Sequence, residues 1–432
     1  MKQIAIHWFR RDLRLTDNVS LHKALSGNLP VLPLFVFDSS ILDHLPEEDE
    51  RVVFIHQQIA SIKEELEKLN SSIYVFHGTP KDAFLALNKM FDITEVYANR
   101  DYEPYAQKRD QEMYNWFSSQ EIKFIGSKDH VIFEKNEVLK DNGEPYTVFT
   151  PYSKKWKSKL TASDYWEYQI EPIFDQFLKL DPLNFPSLNS MGFKSLATEF
   201  PKLEIDKTLI KNYSEKRDIP SANGTSKLGV HLRFGTVSIR SLLREAKDWS
   251  NTWLNELIWR EFYQMIIFHF PHSAESEFRS KYSRVSWRSD LDEFKTWCEG
   301  KTGYPMVDAG MRELNATGFM HNRVRMVVAS FLTKHLLLDW RLGERYFAEK
   351  LHDYELASNV GGWQWAAGCG CDAAPYFRVF NPELQMKKFD PELRYVKKWV
   401  PEFGTPTYPK PMVDHKFARE RAISTYKEAL NQ

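Results

Sequence analysis

Cysteine is scarce: Cys298, Cys369 and Cys371 are the only three in 432 residues. The lone C-x-C has no second pair to complete a zinc site, and the odd count argues against a disulfide framework. A reduced, cytoplasmic compartment is therefore expected, and no metal centre. Long apolar runs are missing too. None approaches the ~20 residues that span a bilayer, and the start, MKQIAIHWFRRDLRL, is a strand meeting charges and not a signal peptide. No membrane partner is expected. Charge of one sign is also lacking: 58 Lys plus Arg against 59 Asp plus Glu leave a net −1. Any nucleic-acid contact must then rest on a local basic patch and not on the field of the whole molecule. No G-x-G-x-x-G follows the first strand, which excludes a dinucleotide fingerprint there. There is no internal repeat or low-complexity tract, and the last segment is a charged helix, Lys416–Leu430, without an extended polar tail.

Aromatic residues are in excess, at 14% with 13 tryptophans, a composition that suits a core but also stacking on flavins or bases. The first ~130 residues alternate short apolar runs with helical patterns, which predicts an α/β domain on a parallel five-stranded sheet. The strands are Ile4–Phe9, Val31–Phe37, Ile73–His77, Val96–Asn99 and Lys123–Ile125. Val52, Val53, Ile55, Ile59, Ile62, Leu66 and Leu69 share one helix face, and Thr79-Pro80 caps another helix. From Asp129 the periodicity degrades among prolines, with Tyr146–Tyr152 read as an extended anchor, so 1–128, a linker over 129–192 and an all-α domain over 193–432 are predicted. Helices are expected near 249–270, 291–299, 304–317, 322–338 and 343–350.

The most informative stretch is Asp353–Arg378, DYELASNVGGWQWAAGCGCDAAPYFR. Gly361 and Gly362 each weaken a helix by about 1 kcal/mol relative to Ala and mark close approach to another body. Trp363 and Trp365 cannot share a helix face at that spacing. The segment is either a Gly-rich turn between two core helices or a bed for a flat aromatic ligand, with one indole facing the ligand and the other a second cavity. It is preceded by Trp253-Leu-Asn-Glu-Leu-Ile-Trp-Arg-Glu-Phe-Tyr263, by GYPMVDAGMRELNATGFMHNRVRM (303–326) and by DWRLGERYF (339–347), after Trp8-Phe9-Arg10-Arg11-Asp12-Leu13-Arg14 at the start. In this order and over essentially the whole chain, these motifs resemble the DNA photolyase and cryptochrome family, and most closely its microbial cyclobutane-pyrimidine-dimer photolyases.

The resemblance implies a Rossmann-like antenna domain of photolyase type, an all-α FAD-binding domain, and UV-damaged DNA as partner. The expected activity is light-driven splitting of cyclobutane pyrimidine dimers by electron transfer from reduced FAD to a flipped-out dimer, by a monomer. The alternative is a cryptochrome-type blue-light receptor without repair; the complete lesion pocket and the missing tail weigh against it. For FAD the resemblance assigns Tyr213, the turn Thr225-Ser226-Lys227-Leu228-Gly229 and Arg260 to the phosphates. Gly229 stands where Ser is common. Asp353, paired with Arg325, and Glu355 lie around the ring and ribose, and Asn359 tunes the flavin near N5. Glu355 replaces the more frequent Asp.

For the lesion, Glu256 and Trp259 share a helix face and line a cavity with Asn322, Met326 and Trp365, while Arg217 and Arg323 join Asn322 in contacting phosphates and flipped bases. Glu256 is expected to hydrogen-bond the dimer as charge develops on it. Asn322 and Met326, where (6–4) enzymes carry histidines, favour cyclobutane dimers. Trp363, Trp340 and Trp287 match a relay that reduces the flavin under light. An antenna pigment, deazaflavin or a similar flavin-like ring in preference to folate, is expected near Phe37, Arg51, Asp101 and Arg233.

Overall fold

Six consecutive residues, Ile4 to Phe9, are all buried. A strand with no polar face must be covered on both sides, the condition of a parallel sheet flanked by helices. In the computed structural model, which describes residues 1–431, that strand is the centre of a five-stranded parallel sheet in the order β3-β2-β1-β4-β5. The strands are β1 (Gln3–Phe9), β2 (Val31–Asp38), β3 (Tyr74–Gly78), β4 (Asp92–Asn99) and β5 (Lys123–Ser127). All five expected strands are present. β4 starts earlier than predicted, because its first residues, Asp92-Ile-Thr-Glu, look polar while pairing with β1 from Gln3. Thr79 caps the helix Pro80–Leu87 as predicted, its side chain accepting from the Asp82 N–H.

By chain contacts the residues group into two compact units. The first is Met1–Glu134, Lys159–Ile205 and Lys227–Lys247; the second is Lys135–Ser158, Asp206–Ser226 and the chain from Asp248. This grouping runs differently from the boundaries drawn on the sequence, since 129–192 is shared between the units. A buried charge cluster ties distant pieces of the first unit. Asp129 accepts from Arg14 at 2.7 Å and from Arg240 at 2.8 Å, and Arg240 also reaches Asp17 at 3.0 Å. Burial alone would raise the Asp129 carboxyl; the two guanidiniums hold it well below the usual carboxylate range.

The second unit is helical. Its site-bearing helices are α1 (Phe149–Lys159), α2 (Tyr213–Lys216), α3 (Asn251–His269), α4 (Asn322–Ser330), α5 (Trp340–Lys350), α6 (Leu356–Ala367) and α7 (His415–Asn431). Three expectations need correction. Phe149 to Tyr152, read as extended, is the first turn of α1; Pro151 is tolerated there because the opening N–H groups of a helix have no internal partner. The helix predicted over 322–338 ends at Ser330 and passes into a π-turn, Phe331–His335. And α6 runs straight through Gly361-Gly362 to end at Gly368, whose φ of +88° is the left-handed cap that suits glycine. The pair is neither a turn nor a helix break, since α6 buries Val360, Trp363 and Ala366, which outweighs the propensity cost. Among the described residues no helix is long and apolar enough to cross a membrane.

Candidate functional site

A cavity of about 400 Å³ opens between α3, α4 and α6 in the second unit, within the range of small-molecule sites. Twelve of the residues given a site role by the resemblance line it, together with Gly362. They are Glu256, Trp259 and Arg260 of α3, Asn322, Arg325 and Met326 of α4, Asn359, Trp363 and Trp365 of α6, and Arg217, Asp353 and Glu355. Trp363 and Trp365 both reach this one cavity, which corrects the expectation that they face two. Tyr213, the turn 225–229, Arg323, Trp287 and Trp340 are outside this lining.

The ionic groups of the cavity are paired. The Arg325 Nη2 donates to both oxygens of Asp353 at 3.1 and 3.0 Å, and its Nε to the Met320 carbonyl at 2.7 Å. Arg260 donates to Glu355 at 2.9 Å, and the Ser358 hydroxyl to the other oxygen of Glu355 at 3.1 Å. A phosphate at Arg260 would therefore share that guanidinium with Glu355. The Asn359 amide nitrogen donates to the backbone and the carboxylate of Glu344, both at 3.0 Å, which leaves the carbonyl oxygen as the atom Asn359 offers a ligand. Burial pushes the Glu344 carboxyl up, opposed by Asn359 and Arg345. Burial likewise raises Glu256, against the pull of Arg217, which donates to it directly.

Trp259 lies face to face with Phe149, ring centroids 3.7 Å apart and 5° from parallel. Arg323 is turned to Asp218, at 2.8 Å, and over the Phe389 ring, at 4.3 Å. Arg217 also covers the ring of Tyr213, at 5.2 Å. The 223–226 turn packs tightly on α2: a Cβ on Gly224 would come within 2.6 Å of the Lys216 carbonyl. After left-handed Lys227 (φ +52°), the helix Gly229–Phe234 opens with Leu228 at its cap and no side chain closing it.

Trp363 and Trp340 are buried in one hydrophobic cluster, with Trp287 packed against it. Gly343 is obligatory there, since a Cβ would fall 2.1 Å from the Trp363 ring. The Trp340 indole N–H meets the Glu277 carboxylate at 3.4 Å, and Trp287 is edge-on to Tyr426 at 5.9 Å. In the first unit, Asp101 pairs with Arg11 at 3.1 Å, Arg11 with Glu103 at 3.4 Å and Glu103 with Arg233 at 3.5 Å. Burial would raise Asp101, but Arg11 and its neighbours hold it far below the carboxylate range. Arg51 is folded onto Asp49 at 2.9 Å. Phe37, only 2% exposed, packs on Phe35 and His56; it belongs to the core and offers no open face.

The roles of Phe149, Asp218, Glu277 and Glu344 escaped the sequence reading, although Phe149 lies in the Tyr146–Tyr152 anchor and Glu344 in the 339–347 motif. Each is an ordinary core or surface residue type, and its partner shows only in the fold.

The comparisons decide the family. Residues 5–171 match the model of DNA photolyase and residues 253–407 that of the FAD binding domain of DNA photolyase. The deoxyribodipyrimidine photo-lyase of Vibrio cholerae is 36% identical over 98% of this chain and 99% of its own. The chain belongs to the DNA photolyase family. Among solved structures, a bacterial class III photolyase from Agrobacterium tumefaciens is similar with a TM-score of 0.89 at 31% identity, covering 100% of this chain and 98% of its own. An archaeal photolyase from Sulfolobus tokodaii with two FAD molecules is similar with a TM-score of 0.85 at 33% identity, covering 98% and 99%.

The photolyase cavity fits a flavin. Gly362 is exposed in it, and a Cβ built there meets nothing within 4 Å, so a flat ring can reach the backbone of α6. Adjacent Gly361 is closed by the Tyr263 ring at 2.3 Å. The Arg325–Asp353 pair and the free Asn359 carbonyl supply a donor and an acceptor for a ring's polar edge in a largely apolar pocket.

Proposed function

We propose that this chain is a light-driven deoxyribodipyrimidine photo-lyase that reopens cyclobutane pyrimidine dimers in UV-damaged DNA. One observation carries the reading. Lesion residues (Glu256, Trp259, Asn322, Met326, Trp365) and flavin residues (Arg325, Asp353, Asn359, Gly362) line the same cavity, so ring and dimer can meet with no protein wall between them. Bound and reduced, FAD would supply on illumination the electron that opens the dimer, and recover it afterwards.

The chain's own residues do the rest. Trp259 and Trp365 form a wedge for a splayed pyrimidine pair, and extrusion is easiest for a pair already badly stacked. Glu256 offers its carboxyl group to the base edge on which charge develops, an interaction worth most in the transient state. Asn322 and Met326 complete the cavity wall. Arg217 and Arg323 exchange their carboxylate partners for DNA phosphates. Tyr213, Thr225, Ser226 and Arg260 would hold the cofactor phosphates, and Trp287, Trp340 and Trp363 would serve as the electron relay toward the cofactor. The cluster of Asp101 and Arg233 suits a flavin-like antenna ring. The protein acts as a monomer in the cytoplasm.

The test is light-dependent loss of cyclobutane dimers from an irradiated oligonucleotide incubated with the flavin-loaded protein. Loss in the light and none in the dark is expected. Photoreduction of the flavin without any loss of dimers would overturn the reading in favour of a light receptor.

A further inference from the structure

We infer that Phe149 is a positioning residue for lesion recognition, which fixes the Trp259 indole from behind and so sets the preference for dimers over intact DNA. The inference rests on the proposed repair activity. Trp259 lines the cavity and Phe149 does not, so the ring at 3.7 Å and 5° backs the indole on its protein side. Full face-to-face overlap is not the arrangement aromatic pairs choose for themselves; offset or edge-on contacts are preferred. The scaffold imposes it.

That scaffold is visible. Phe149 is buried and opens α1, its N–H donating to Asp372 at 3.1 Å. One and two turns on, Tyr152 and Trp156 of α1 both donate to Glu261 of α3, the tyrosine at 3.4 Å. Glu261 is next but one to Trp259, so the helix that carries the backing ring is clamped to the helix that carries the indole. Phe262 closes the corner edge-on, 5.6 Å from Trp259 and 5.9 Å from Phe149. Phe149 is held in place, and Trp259, with the Tyr263 ring tilted beside it at 5.5 Å, turns its remaining surface to the cavity.

A splayed dimer gains from a wall that is already in place, because ordering a loose side chain on binding costs affinity. Undamaged DNA, held through its phosphates, gains nothing from it. The effect of Phe149 must therefore fall on lesion affinity and pass through Trp259.

The experiment measures Kd for a dimer-containing oligonucleotide and for its undamaged twin, with flavin-loaded wild type, Phe149→Leu, Phe149→Tyr, Trp259→Ala and the double variant Phe149→Leu/Trp259→Ala. Phe149→Leu is expected to weaken dimer binding about three- to tenfold, with undamaged DNA and the repair yield per photon at saturating lesion unchanged. Phe149→Tyr, which keeps the stacked face, restores wild-type preference. In the Trp259→Ala background Phe149→Leu should add nothing, the signature of one residue acting through another. If Phe149→Leu loses its flavin or fails to fold, Phe149→Met takes its place. Unchanged preference in the leucine or methionine variant, or an equal loss with Trp259 absent, overturns the inference. A wild-type protein that fails to prefer the dimer at all would instead overturn the function on which it rests.

Discussion

Gly361 and Gly362 are neighbours in one helix with opposite surroundings, and they separate packing from cofactor binding at single-residue resolution. Gly361→Ala drives a methyl group into the Tyr263 ring, 2.3 Å away, and overpacking of this kind costs about 1–3 kcal/mol. Gly362→Ala meets no protein atom within 4 Å and gains about 1 kcal/mol of helix propensity. Melting the apoproteins should show Gly361→Ala less stable and Gly362→Ala no less stable than wild type, while FAD titration should show Gly362→Ala weakened. Undiminished FAD affinity in Gly362→Ala would mean that no ring lies against that backbone. At this scale the sequence was informative where motifs are local and silent where they are not. Asp353, Asn359 and Arg325 stood in long recognisable stretches. Asn359's partner Glu344 is 15 residues back, Arg323's partner Asp218 is 105 back, and Trp340's partner Glu277 is 63 back. Glu and Asp at such separations look like solvated surface until the fold joins them.

The elements were legible wherever period alone defines them. Five strands and most helices stood out because short apolar runs and 3.6-residue patterns follow from which face is buried. Three features did not. Proline disguised the first turn of α1, glycine disguised the middle of α6, and the π-turn Phe331–His335 contains nothing that a straight helix would not. Yet that turn directs Lys334 onto the end of α6, where its amine donates to the Ala367 carbonyl at 2.8 Å and lies 3.6 Å from the centre of the Tyr426 ring of α7. π-turns recur at sites where a side chain must be re-aimed. Burial pulls the Lys334 amine down from 10.5 to about 7, against the opposing influence of Cys369. Between those values the unfolded chain holds a proton that the folded protein lacks, so stability must rise with pH from about 7 to 10.5. Below 7 both states are protonated and the contribution is lost. Urea unfolding at pH 7, 8.5 and 10 should show a steeper rise for wild type than for Lys334→Met, which should also be the more stable of the two at pH 7. Parallel profiles would show that Lys334 keeps its proton when folded.

For the molecule as a whole, a net charge of −1 gives DNA no reason to approach except at particular arginines, and both arginines assigned to phosphates are already paired. Arg217 donates to Glu256, and Arg323 to Asp218, whose side chain is 41% exposed. These pairs prevent bare guanidiniums beside the cavity from binding every anion, and each must open when DNA arrives. Asp218 is the more exposed carboxylate of the two, 41% against 30% for Glu256, so water can replace Arg323 on it as the pair opens, and a phosphate offers the guanidinium a comparable partner. Binding should therefore weaken steeply with salt despite the neutral chain, because each phosphate neutralised releases condensed counterions. Arg323→Ala should shallow the plot of log K against log salt by about one unit, for damaged and undamaged DNA alike, since a phosphate contact carries no sequence or lesion information. Asp218→Asn removes the competitor and keeps the cation, so it should tighten binding to undamaged DNA at low salt and leave the slope at its wild-type value. The two variants thus move affinity in opposite directions through one guanidinium. A slope unaltered in Arg323→Ala would mean that Arg323 touches no phosphate and that its pair with Asp218 serves only to pin the start of α4.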